Sequence, residues 1–193
     1  MINDLVRRAL VAGSSWLALA GGAHAAGMTQ YEVVALRNEG SGHAYQAGSA
    51  VLKCLAAAKY NIDPKNKGKP MQDTKGPMGE ATSQLESAEV AYSRLAESDR
   101  AKAPLPEIKD QSRRASLDLV ALRLRESGHG FERTEGSVAQ LNLAAIRSLK
   151  EFTLTKWPEC SALMKNPVAL IDLLERKVFL ERASQLAEAA WGE

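Results

Sequence analysis

The chain has 193 residues, of which 45% are hydrophobic and 25% charged, and its 25 Lys and Arg against 23 Asp and Glu give a net charge of +2. This near balance lacks the basic excess that binding to nucleic acid or to an anionic membrane requires, so neither is an expected partner. The length suits one compact domain with a hydrophobic core of its own.

The first 25 residues have the three-part pattern of a secretory signal peptide. Two arginines are followed by the apolar run 9–20 and by small residues that end at Ala25. This run is shorter than the roughly 20 apolar residues of a membrane span. We therefore expect cleavage after Ala25 and an exported mature chain, residues 26–193, that forms a single helical domain without a membrane span. The periplasm and the outside of the cell both fit this expectation.

Helical patterns begin soon after the cleavage point. Thr29 and Glu32 have the spacing of a capping box, which predicts a first helix that begins there and ends at Gly40. A second helix is predicted from Ser41 to about Tyr60. The apolar positions of the first are Tyr31, Val34 and Ala35, and those of the second, at helical spacing, are Val51, Cys54, Leu55 and Ala58.

Residues 61–79 differ in composition from both neighbouring segments. They are rich in Pro, Gly and Lys, which predicts a long loop. Loops longer than about 12–15 residues in a compact domain are commonly functional, so this loop is a candidate contact surface for a partner protein. A solvated, flexible connector is the alternative interpretation.

Four more helices are predicted after the loop: from about Thr82, from about Glu107 to Glu126, from Ser137, and from Asn166-Pro167, where a capping amide precedes a proline. A short helix through Cys160 precedes the last one. The predicted core faces of these four longer helices, in chain order, are Leu85, Ala88, Tyr92, Leu95 and Ala96; Ile108, Ala115, Leu119 and Leu122; Val138, Leu141, Ala145 and Leu149; and Ile171, Leu174, Val178, Leu186 and Ala190. No stretch alternates with a period of two. The predicted fold class is therefore all-α, a single-domain bundle of six to seven helices.

A short motif occurs twice. Ala35-Leu36-Arg37 leads into Ser41-Gly42-His43, and 86 positions later Ala121-Leu122-Arg123 leads into Ser127-Gly128-His129. The repeat predicts an internal duplication with a pseudo-two-fold axis. Because glycine permits a turn and serine can cap a helix, we expect each copy to join two helices.

The two histidines of the mature chain, His43 and His129, both lie in this repeated motif. Neutral imidazole binds Zn, Cu, Ni and Fe, so two imidazoles near a symmetry axis would suit a metal ion or a haem. Without a third ligand they form an incomplete zinc site, and the helix joint is the simpler interpretation. The chain has no GxSxG or HExxH motif and no phosphate-binding loop. No catalytic residue is predicted, and binding is favoured over catalysis.

Cys54 and Cys160 are the only cysteines. An even count in an exported chain predicts one disulfide, with two free buried thiols as the alternative. The disulfide would join the second helix to the segment before the last one.

The segment Ala50-Val51-Leu52-Lys53-Cys54-Leu55, and Cys160 just before a leucine-patterned final helix, carry a resemblance to a known family. They resemble small exported helical immunity proteins, which neutralise peptidoglycan amidases delivered by type VI secretion. The resemblance covers about a fifth of the chain. It implies an inhibitor of a secreted cell-wall hydrolase. The broader functional hypothesis is a non-catalytic protein that binds another protein in the cell envelope. A metal- or haem-binding protein that uses His43 and His129 is the remaining alternative.

Overall fold

The computed structural model describes residues 28–97, 111–126, 128–129, 138–153 and 159–191. Within these ranges the chain forms six α-helices, one 3-10 turn and no strand, which confirms the predicted all-α class. The helices are α1 (Gln30–Ile62), α2 (Gly76–Glu97), α3 (Gln111–Glu126), α4 (Val138–Glu151), α5 (Cys160–Leu163) and α6 (Pro167–Trp191), and the 3-10 turn is Pro64–Asn66. In the part of the chain described, no helix has the length and apolarity to span a bilayer.

Some of the sequence-based predictions fall outside these ranges. They are the signal peptide at 1–25, Ile108, Ser127 and Ser137. The side chains of three predicted core residues, Val138, Leu186 and Ala190, also lie outside the described part of the structure.

Helices α1, α2, α4 and α6 form the body of the bundle. α1 packs along α2, α2 packs on α4, and α4 packs on α6, while α1 and α6 have a smaller contact. The short helix α5 contacts α1 and α6, and α3 lies against α4 and α6. The α1–α2 interface is built largely from buried alanines, which let two helices approach closely: Ala44, Ala47, Ala50, Ala81, Ala88 and Ala91.

The predicted capping box begins α1. The Thr29 hydroxyl accepts a hydrogen bond from the Glu32 backbone amide at 3.3 Å, and the Thr29 amide donates to the Glu32 carboxylate at 2.7 Å. The last helix begins as predicted too, because the Asn166 side chain accepts from the Ala169 amide at 3.1 Å. These caps satisfy backbone donors that have no partner within the helix.

The predicted break between the first two helices is wrong, because α1 continues from Gln30 to Ile62 through the first copy of the repeated motif. Gly40 is buried against α2, where a Cβ atom would lie 2.7 Å from Cε2 of the buried Tyr92 ring. Glycine at position 40 therefore allows close packing rather than a turn. The helix tolerates it because tertiary packing outweighs the roughly 1 kcal/mol that an interior glycine costs relative to alanine.

The second copy of the motif does end a helix. Gly128 has a φ of 82°, and its amide donates to the Arg125 carbonyl at 3.0 Å, while the His129 amide donates to the Leu124 carbonyl at 2.8 Å. These two bonds form a Schellman motif, for which glycine is the favoured residue. The two copies thus differ in backbone conformation, and the internal duplication with its pseudo-two-fold axis stays a prediction.

The predicted core positions in the second half of α1, in α2 and in α4 are mostly buried. They are Val51, Cys54 and Ala58 in α1, Leu85, Ala88, Tyr92 and Leu95 in α2, and Leu141, Ala145 and Leu149 in α4; Leu55 and Ala96 are half-buried. At the start of α1, however, Tyr31 and Val34 are exposed, and Val33 and Leu36 are buried instead.

The predicted core face of α3 is wrong. Ala115, Leu119 and Leu122 are exposed, and Val120 and Leu124 are buried. Apolar residues lie on both faces of this helix, so helical spacing alone could not select the buried one.

The predicted core face of α6 is also wrong, since Ile171, Leu174 and Val178 are exposed and the buried apolar residues are Ala169, Leu173, Leu180 and Ala183.

The buried face of α6 includes Arg176, which a hydrophobic pattern assigns to solvent. Its guanidinium donates to the Ser148 carbonyl and hydroxyl, both at 2.9 Å, and to the Asp172 carboxylate at 2.8 Å. It also lies 5.3 Å from the centre of the Phe152 ring. These partners compensate for the loss of water around the charge.

An ion-pair cluster joins α2 to α4. The Glu89 carboxylate accepts from Arg147 Nε at 2.8 Å and from Lys150 Nζ at 2.7 Å. Partial burial alone would raise the pKa of Glu89, but the hydrogen bonds from Lys150 and Arg147 and their charges outweigh it and hold the pKa below its ordinary value of 4.5.

Gly40→Ala and Gly42→Ala form a matched pair that tests the packing of α1. We expect Gly40→Ala to destabilise the fold by about 1–3 kcal/mol, because the new methyl group meets the buried Tyr92 ring. Among the described residues, none has an atom within 4 Å of the Gly42 Cβ position, so Gly42→Ala should stabilise the monomer by roughly 0.5–1 kcal/mol. Urea unfolding of both variants measures the difference in their free energies of unfolding. Equal effects would contradict the close packing of Gly40 against Tyr92.

The Glu89 cluster predicts a specific pH dependence. Because the folded-state pKa is lowered, its contribution to the free energy of unfolding is complete above the ordinary value of 4.5 and is lost as pH falls through the folded-state pKa. Glu89→Gln should lower the free energy of unfolding at pH 7 by roughly 0.5–1 kcal/mol. It should also make the loss of stability at acidic pH smaller. Denaturation midpoints between neutral and acidic pH measure it. Glu86→Gln, at an exposed position of the same helix, is the control. If Glu89→Gln lost stability at acidic pH to the same extent as the original protein, the stabilising role of the Glu89 ion pairs would be refuted.

Candidate functional site

Cys54 of α1 and Cys160 of α5 form a disulfide, with their Cα atoms 5.7 Å apart and both residues fully buried. This confirms the predicted pair and excludes the free thiols. The bond joins positions 106 residues apart in the sequence, so it fixes the C-terminal half of α1 against the start of the last helical segment. A buried disulfide is consistent with an oxidising compartment outside the cytoplasm.

Residues 63–75 connect α1 to α2 and pass beside this disulfide. The Thr74 carbonyl oxygen lies 3.0 Å from the Cys54 sulfur, and Thr74 is buried. The connection is shorter than the predicted loop 61–79. At its end, the Asp73 carboxylate accepts from the Gly76 amide at 3.1 Å and so begins α2 early, while Pro77 is tolerated in the first turn of a helix.

Side-chain hydrogen bonds fix the backbone of this connection. The Asn61 side chain donates to the Gln72 carbonyl at 2.8 Å and accepts from the Gln72 amide at 2.7 Å, which clamps the two ends of the segment together. Asn66 donates to the Tyr60 carbonyl at 3.1 Å. These hydrogen bonds favour an ordered loop over the flexible connector of the alternative interpretation.

The two acidic side chains of the segment bind its own backbone. Asp63 accepts from the Lys65 amide at 2.9 Å, and Asp73 accepts from the Lys75 amide at 2.9 Å. The amide hydrogen bonds from Lys75 and Gly76 lower the pKa of Asp73. Both carboxylates thus serve as local caps, and the basic residues of the segment outnumber them on the exposed surface. We call that exposed set the loop surface: Lys65, Lys67, Lys69, Met71 and Lys75.

The two motif histidines bind partners on different helices. His43 Nδ1 lies 2.6 Å from the Gln84 side-chain oxygen on α2, and His129 Nε2 lies 2.7 Å from the Glu151 carboxylate at the end of α4. Among the described residues, no group of three or more His, Cys, Asp or Glu side chains is placed to hold a metal ion. The metal or haem site of His43 and His129 stays a prediction, and each imidazole links two helices.

A groove of about 570 Å³ lies between α1 and α6. On α1 its walls are small residues of the first motif copy and the positions after it, including Ser41, Gly42 and Gly48, with the exposed Tyr45 and Leu52 beside them. The α6 wall consists of Leu180, Glu181, Ser184 and Gln185. This groove was not predicted from the sequence. The available signal was the pair of glycines at positions 42 and 48, of which Gly42 lies where the sequence predicts a turn.

Comparison of the chain with protein-family models, with curated proteins and with solved structures found no match. The function is therefore argued from the loop surface, the disulfide and the groove themselves.

The disulfide predicts a large stability difference between the native protein and a Cys54→Ala/Cys160→Ala variant. Removing a cross-link of this length should lower the free energy of unfolding by roughly 4–5 kcal/mol in the chain-entropy model. Guanidinium unfolding of the two proteins measures it. Intact mass before and after reduction in denaturant is the control for the bond itself. A difference below about 1 kcal/mol would contradict the structural role.

Proposed function

We propose that the protein is exported and acts without catalysis, by binding another protein in the cell envelope through the loop surface. The observation that supports this most strongly is the order of that surface. Its backbone is clamped by Asn61 and lies against the buried disulfide, yet its side chains are directed to solvent. A loop ordered before binding loses less conformational entropy on association, so more of its contact energy becomes affinity.

The chemistry of the loop surface indicates the kind of partner. Four lysines outnumber the two nearby carboxylates of Asp63 and Asp73, and one of the four, Lys75, lies 3.9 Å from the Glu159 carboxylate. The net charge of the loop surface and its neighbouring aspartates is therefore positive. An acidic surface would complement these charges and accelerate association. Met71 is 79% exposed among them. Its flexible, polarizable side chain suits an apolar pocket, as methionines do at many binding surfaces.

An immunity-type inhibitor of a secreted cell-wall hydrolase is the more specific form of this proposal. An ordered loop with a projecting Met71 is a suitable shape for insertion into an enzyme cleft. The resemblance of the Cys54 and Cys160 segments to exported immunity proteins favours this form over other envelope partners. A neighbouring gene for a secreted cell-wall hydrolase, together with protection of cells from that hydrolase by this protein, would support it, and an unprotected cell would contradict it.

A photo-crosslinking amino acid at position 71 tests the proposed surface in cells that export the protein. We expect an adduct with one acidic partner from position 71 and none from Val90, an exposed apolar residue on α2 that serves as the matched control. Equal labelling from both positions, or none from position 71, would contradict the proposal. Mass spectrometry of the adduct identifies the partner.

The Lys65→Glu/Lys67→Glu/Lys69→Glu variant tests the electrostatic part with that purified partner. Affinity should fall by at least tenfold, which corresponds to about 1.4 kcal/mol, and the salt dependence of association should weaken. Arg94→Glu/Arg125→Glu reverses two exposed basic residues elsewhere and should leave affinity within about twofold. If both variants bound equally well, the loop surface would not be the contact.

A further inference from the structure

The outward face of α1 carries large apolar side chains separated by multiples of seven residues. Tyr31 and Tyr45 are 89% and 80% exposed, and Val34, Leu52 and Ile62 are exposed as well. Positions 31, 38, 45 and 52 form one row, and positions 34, 41, 48, 55 and 62 form the second. Two such rows make the seam through which one helix packs against another, so this face of α1 has the pattern of a helix–helix interface.

The described part of the chain supplies no steric reason for the glycines at positions 42 and 48 on this face. Gly40 is required by the Tyr92 ring. Among the described residues, however, nothing lies within 4 Å of the Cβ position of Gly42, and that of Gly48 meets only Lys177 Cε at 3.9 Å. Glycine weakens a helix interior relative to alanine. Its retention at both positions fits close approach of a backbone from outside the chain.

We infer that the groove between α1 and α6 receives α1 of a second copy of this chain, with the two α1 helices antiparallel. In one antiparallel register, Tyr45 faces Gly48 of the second copy, Leu52 faces Ser41, and Tyr31 faces Ile62. The two central pairs place a large side chain opposite a small one, and the outer pair is apolar. Two-fold symmetry repeats each pair, as an isologous interface requires.

The charges of α1 favour the same orientation. Positions 40–52 contain no Asp, Glu, Lys or Arg, so the centre of the interface buries no charge of α1. The acidic Glu39 precedes this stretch and the basic Lys53 follows it. An antiparallel pair places each Glu39 beside Lys53 of the other copy, whereas a parallel pair places like charges together. Lys53 is 59% exposed and only 3.6 Å from Glu80 on its own chain, so its ammonium can reach a second carboxylate.

The α6 wall is compatible with this occupant. Glu181, the single charged residue of the groove lining, is neutralised by its ion pair with Lys177. α6 runs antiparallel to α1, because Gly48 faces Lys177 and Cys54 is bonded to Cys160, which precedes α6. The second α1 would therefore lie parallel to α6, and the α1 and α6 helices of two copies would form a four-helix layer with alternating directions.

Sedimentation equilibrium of the purified mature chain, disulfide intact, tests the inference. We expect a monomer–dimer equilibrium at protein concentrations up to roughly 100 μM. Tyr45→Glu should raise the dimer dissociation constant by at least about 30-fold, as loss of a central aromatic anchor does. Val90→Glu, a matched change at an exposed apolar residue of α2, should leave it unchanged. Circular dichroism confirms that each variant is folded.

A charge swap tests the orientation. Glu39→Lys should weaken the dimer by about fivefold, and Glu39→Lys/Lys53→Glu should restore it to within about threefold of the original protein. A monomer at every concentration, a dimer insensitive to Tyr45→Glu, or a double variant weaker than Glu39→Lys would each overturn the inference. The lysine variant of the loop surface should dimerise normally, so this result is independent of the proposed partner binding.

Discussion

The Cys54–Cys160 disulfide is the covalent constraint that joins α1 to the C-terminal part of the bundle. It fixes the C-terminal half of α1 next to α5, the short helix that precedes α6 and contacts it. On its other side the Cys54 sulfur contacts the Thr74 carbonyl, so the connection from α1 to α2 is held against the same buried point. One covalent bond therefore anchors α1, the helix that carries the seam, and contacts the connection that carries the loop surface.

These two surfaces differ in the interactions that they offer. The loop surface is charged and local in sequence, and its order comes from side chains such as Asn61 that replace water around the backbone. The seam on α1 is neutral and long, and its shape is set by Gly42 and Gly48, because glycine has no side chain. A charged loop favours fast, salt-dependent association, whereas a neutral seam favours close packing of helices. The two surfaces are thus suited to different partners.

The features that follow from local chemistry could be predicted from the sequence. The Thr29 capping box, the Asn166 cap and the pairing of the only two cysteines were all confirmed. The helix break at Gly40 could not be judged correctly, because the reason for that glycine is a ring 52 positions later, on Tyr92. Local preference for a turn was overridden by packing between α1 and α2. On α3 and α6, apolar residues on both faces made the hydrophobic period ambiguous, and the buried Arg176 reinforced the wrong choice.

The ordered conformation of residues 63–75 could not be predicted from the sequence either. It depends on two hydrogen bonds between Asn61 and Gln72, which are eleven positions apart. Amide hydrogen exchange at Gln72 tests this order most directly, because its amide donates to the Asn61 side chain at 2.7 Å. The account predicts slow exchange in the native protein, and fast exchange in Asn61→Ala with the disulfide intact. Exchange at the rate of an unstructured peptide in the native protein would contradict the ordered loop surface on which the proposed function rests.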